Sequence, residues 1–77
     1  MNLKQARRKE WHVRDIGNCV EIFVRHTDRR GYMYSFVVHE FPVYVSPRHP
    51  SKREIWSHAK HIAGLHNDWL KRKKEKK

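Results

Sequence analysis

Residues Ser51 to Arg72 carry a pattern that leaves a small chain few ways to fold. Ser51 is followed by Glu54, the capping-box signature of a helix start, and Pro50 is placed to pack on Ile55 as a staple. At about 100° per residue, Ile55, Ala59, Ile62, His66, Trp69 and Leu70 fall on one stripe. Arg53, Ser57, Lys60, Gly64, Asn67, Asp68 and Lys71 fall opposite. A helix with one apolar stripe must bury it against another element. That element has to come from the residues upstream of Ser51.

Those residues read as an antiparallel sheet. In CVEIFVRH, Val20, Ile22 and Val24 alternate with Glu21, Phe23 and Arg25, the period-two pattern of a half-buried strand. The polar TDRRG follows, with Asp28 and Gly31 suited to a hairpin loop. Beyond it, YMYSFVVHE sets Tyr34, Phe36 and Val38 on one face and Met33, Ser35 and Val37 on the other. A third strand, VYVS, lies between Pro42 and Pro47, which makes it short and an edge. A further strand over Trp11 to Arg14 would be closed by a Gly17-Asn18 turn. The expected fold is α+β: a three- or four-stranded antiparallel sheet with one long C-terminal helix packed on one face. The expected organisation is a basic N-terminal arm over residues 1–9, one small domain over residues 10–72, and a disordered basic tail over residues 73–77. The arm either stays disordered or forms a short helix capped by Asn2.

A chain of 77 residues buries only about 60% of its unfolded surface, too little for a deep substrate cleft and its scaffold. Cys19 beside a histidine would satisfy the minimum for a nucleophile and base. It opens a strand, however, and reads as a small buried hydrophobe. No carboxylate pair sits in a recognisable motif, and there is no phosphate-cradling glycine loop. The chain is therefore expected not to be an enzyme and to use no cofactor or small-molecule substrate. His58 and His61 are close enough on the helix to share an ion, but zinc wants three or four ligands and the chain has one Cys and no CxxC. His58 is accordingly read as flanking the core, His61 as facing solvent and His66 as a satisfied core histidine, with no metal site. The single cysteine excludes an internal disulfide, the basic start lacks an apolar h-region, and no apolar run reaches membrane-spanning length. These features lead us to expect a soluble protein, cytoplasmic or nucleoid-associated.

Charge says the most about partners. Eighteen Lys and Arg face eight Asp and Glu, for a net charge of +10. Ordinary surfaces intersperse both signs, whereas a strongly basic small domain carries the electrostatic footprint of nucleic-acid binding. The basic residues form four clusters: Lys4, Arg7, Arg8 and Lys9; Arg25, Arg29 and Arg30; Arg48, His49, Lys52 and Arg53; and Lys71 to Lys77. The third ends at a helix N-terminus, where free N–H groups and the dipole favour an anion such as phosphate. The candidate nucleic-acid contacts are Arg25, Arg29, Arg30, Arg48, Lys52, Arg53, Lys71 and Arg72. Phe23, Tyr32 and Tyr44 are candidate stacking or interface rings.

The stretch YMYSFVVHEFPVYVSPRHPSKREIWSHAKHIAGL, with Ser51, Lys52 and Glu54 opening the helix and Ile55 where alanine is usual, resembles the AP2-like, arm-type DNA-binding domain of tyrosine integrases. The resemblance spans about half of the chain. It implies a three-stranded sheet entering the major groove, with Arg25, Arg29, Arg30 and strand residues such as Ser35 as contacts. A double-stranded-RNA-binding domain has a similar sheet and C-terminal helix. The expected function is thus a small basic module that binds DNA or RNA through phosphate contacts. The alternative is a small phage-type inhibitor docking on an acidic surface of a larger enzyme, with aromatic anchors such as Phe23 and Tyr44.

Overall fold

Val20, Ile22 and Val24 are each at most 1% exposed, and the strand that carries them lies at the centre of the molecule. The computed structural model describes residues 1–75. Its elements are α1 (Leu3–Ala6), β1 (His12–Asp15), β2 (Cys19–Thr27), β3 (Met33–Pro42) and α2 (Lys52–Glu75). The strands form one antiparallel sheet in the order β1-β2-β3, with α2 lying across β1 and β2. This is the α+β architecture the sequence leads one to expect. Both turns rely on glycine at positive φ, Gly17 at 101° and Gly31 at 87°, where a side chain would be strained.

The third strand comes from the N-terminal side. VYVS is not a strand: β3 ends at Pro42, and Val43 donates one N–H to the Asn18 carbonyl at 2.9 Å before the chain turns away. Pro42 has no N–H for a ladder and Val45 is fully exposed, so nothing there supports a further pair. Residues Ser46 to His49 form a tight turn leading to α2.

A bulge re-phases β3. Ile22 faces His39 while Phe23 faces Val37, which leaves Val38 as the extra residue. Upstream of it the apolar residues sit at even positions, and downstream, at Phe41 and Val43, at odd ones. With the bulge, Val38, Phe41 and Val43 all pack on the core of Val20, Ile22 and Ala59. Without it, Glu40 would be turned inward instead of Phe41.

Helix α2 begins as expected, with the Glu54 N–H donating to Ser51 Oγ at 3.3 Å. It continues through Glu75, past the expected end at Arg72, so residues 73–75 of the expected tail are helical. Nothing after Gly64 breaks a helix, and the Lys and Arg of its last turns suit the negative end of the dipole. The remainder of that tail, residues 76–77, lies outside the described residues. The buried line on α2 runs through Ala59, Ala63 and Leu70, with Ile55, Trp56 and Ile62 half-buried. Two alanines let the helix approach the sheet closely. Trp69, expected in the core, is 48% exposed. Asn67, expected outside, faces in: its Oδ1 accepts the Trp11 N–H at 2.8 Å and its Nδ2 donates to the Trp11 carbonyl at 3.0 Å. Among the described residues no helix is long and apolar enough to cross a membrane.

Candidate nucleic-acid interface

The N-terminal arm is folded onto the end of α2. Asn2 caps α1 through a reciprocal pair with Gln5, and Ala6 is fully buried. The Trp11 ring N–H donates to the Ala6 carbonyl at 3.0 Å, and His66 Nε2 donates to the Lys9 carbonyl at 2.9 Å. The Trp11 and His66 rings stack at 3.7 Å, nearly parallel at 10°. Trp69 lies beside them, 5.7 Å from His66 between ring centroids, and Lys73 sets its ammonium 5.0 Å from the Trp69 ring centroid. Arg7, Trp11, His66 and Trp69 line a hollow of about 400 Å³. Two basic clusters far apart in sequence, the arm and the last turns of α2, therefore meet around three aromatic rings.

The other two clusters lie apart. Cys19 pairs with Pro42 and Thr27 with Met33, so the turn carrying Arg29 and Arg30 is at the opposite end of β2 from the β1–β2 turn. The start of α2 is tied to that β1–β2 end, because Lys52 pairs with Asp15 at 3.1 Å. Lys52 thus arrives with its charge partly answered, while Arg48 and Arg53 are exposed. Arg25 is exposed on the sheet face opposite α2, and Lys71 and Arg72 are exposed on α2. Tyr32 and Tyr44 are exposed, Tyr44 with its ring 4.8 Å from that of His49.

Phe23 departs from expectation. It is 7% exposed, with the Arg14 guanidinium 4.5 Å above its ring and His12 at 5.5 Å. Its position beside β1 lets Arg14 and His12 of that strand close over it, so it offers no free ring for stacking or docking. Conversely, the sequence reading missed Arg7, Trp11, Trp69 and Lys73 as a group. The signal in the sequence is the i, i+3, i+7 spacing of His66, Trp69 and Lys73, which aligns two rings of the expected core stripe with a lysine of the expected tail.

The sheet face opposite α2 is internally occupied. Arg14 Nε donates to Glu21 Oε1 at 2.7 Å and its Nη1 to Ser35 Oγ at 3.2 Å. The Cys19 thiol donates to Glu40 Oε1 at 3.0 Å. Cys19, Glu21 and Glu40 offer ligand atoms within 4.8 Å of one another, and each already has a partner in the chain. The carboxylate of Glu40, then burial, pushes the thiol up to about 11, because a thiolate there would face negative charge. At pH 8, Cys19 should react with a disulfide reagent roughly 100-fold more slowly than the unfolded chain. Glu40→Gln should speed that reaction, and equal rates would contradict the contact.

Four of the eight acids, Asp15, Glu21, Asp28 and Glu40, make such contacts. Glu21 is buried against Arg14 and Asp15 is held by Lys52. Asp28 accepts the Tyr34 hydroxyl and the N–H groups of Arg30 and Tyr32, which hold its carboxyl below the ordinary value. Among the described residues only Arg14 and Lys52 are in ion pairs, so most of the positive charge stays on the surface. No family model matches the chain, and neither a curated protein nor a solved structure is found to be similar to it.

Proposed function

We propose that this protein is a nucleic-acid-binding module held mainly by phosphate contacts. The observation that carries the reading is the charge balance: eighteen Lys and Arg face eight Asp and Glu, and two of those acids, Glu21 and Asp15, are already paired with Arg14 and Lys52, which leaves a strongly basic surface. A polyanion that lays several phosphates on such a surface releases its counterions, and that release drives binding. Helix α1, the end of α2 and the exposed Arg25, Arg29, Arg30, Arg48 and Arg53 supply the cations. The integrase-like mode, with the sheet face in the major groove, draws less support. Arg14 on that face is bound to Glu21, and Glu40 adds negative charge beside it.

A salt series tests the reading. With about six phosphates engaged, log K against log salt should fall with a slope of about −4 to −5. A flat response, or no retention of either DNA or RNA at about 50 mM salt, removes it. Retention of poly-glutamate but of neither nucleic acid would favour an acidic protein surface as the partner instead.

A further inference from the structure

The hollow beside Trp69 has a hydrogen-bonded wall and one half-exposed ring. The Trp11 ring is held by the Ala6 carbonyl and its backbone by both ends of the Asn67 amide, while His66 is held by the Lys9 carbonyl. Trp69 stands next to this stack with 48% of its surface open. An indole left that exposed gives up hydrophobic stabilisation that burial would supply. Arg7 borders the hollow and Lys73 lies over Trp69, so cations flank the rings on both the α1 and the α2 side.

We infer that this hollow takes an unpaired nucleobase stacked on Trp69, with the neighbouring phosphates on Arg7 and Lys73. The inference rests on the nucleic-acid reading above and narrows it to single strands. A base offers a flat apolar face to an indole and an anion on either side of it, which is the complement of this site. In a duplex both faces of a base are covered by its neighbours, so entry would first require unstacking. Because the Trp11–His66 wall is already fixed, binding has only Trp69, Lys73 and Arg7 to order. An acidic peptide would answer the cations and leave the rings bare.

Tryptophan fluorescence tests the site, using oligo-dT and oligo-U of about twelve nucleotides, a duplex of the same length and poly-glutamate. Both single strands should quench the parent and bind more tightly than the duplex, and a preference for either sugar is consistent with the site. Trp69→Ala should weaken single-strand binding about 5- to 150-fold and leave duplex binding within about twofold. Trp69→Phe, which keeps a ring, should retain most of the affinity and lose most of the quench, and circular dichroism of both variants checks that they fold. The inference is overturned if the folded variants bind single strands as the parent does, or if poly-glutamate quenches as strongly as oligo-dT. Failure of the parent to bind either nucleic acid would instead bring down the broader reading. Equal binding of both forms with Trp69 silent would remove the base site alone.

Discussion

Ile22→Ala should lower the melting temperature by 15 °C or more, on the order of 3–5 kcal/mol for a buried side chain of this size. Ile22 is 1% exposed at the centre of β2, with Val13 opposite it on one side and His39 on the other. Ala59 packs in the same cluster, and Trp11, Val38, Phe41, Ile55 and Ile62 close around it. The central strand cannot move to fill the gap without breaking two ladders, so the cavity persists. A domain of this size has only about 4–11 kcal/mol in total, and the variant should sit near the edge of folding. Ile22→Val should cost about 1 kcal/mol, and Val37→Ala, on the open face, less than that. Thermal melts of the three variants check the order. A parent-like melt for Ile22→Ala would mean that α2 does not pack on this sheet face.

Asn67→Ala should cost about 2–3 kcal/mol and act mainly on β1. The Asn67 amide meets the Trp11 N–H and carbonyl together, much as a neighbouring strand would, and so holds the edge strand's entry to the sheet. Removing it leaves two half-buried backbone groups without partners. Asn67→Asp should be no better, because a carboxylate can accept the N–H but opposes the Trp11 carbonyl. Urea unfolding measures the loss, and hydrogen exchange localises it: the Trp11 amide and β1 should exchange faster well before Val20 to Val24 do. Uniform acceleration across the sheet, or none, would contradict this role.

The parts of the fold that were readable from sequence are those governed by near neighbours. Ser51 and Glu54 mark a helix start because the cap bond is local. The period of Val20, Ile22 and Val24 marks a strand because alternate side chains share a face. Asp28 and Gly31 mark the hairpin because the turn needs an Asx acceptor and a positive φ. The sequence suggests two short outer strands, VYVS between Pro42 and Pro47 and a stretch over Trp11 to Arg14; only the second pairs, as His12–Asp15, where Asn67 and Asp15 provide anchors. Register in β3 was legible up to Val38; the bulge beyond it arises from pairing against Ile22 and Phe23.

The charge of +10, the α+β class and the capped helix were set by the chain's own residue order, because each depends on composition or on contacts within a few residues. The candidate site was decided by tertiary structure alone. Arg7 and Trp11 reach His66, Trp69 and Lys73 only when α2 crosses the sheet and lays its last turns against the N-terminal arm. Helical periodicity gives the spacing of Trp69 and Asn67 around α2 but not where the sheet's edge falls against them. A rotation of α2 by one residue's angle is enough to turn an expected core ring outward and an expected surface amide in. Likewise Phe23 has the alternation of an exposed residue, and only the closing of Arg14 and His12 over a central strand buries it.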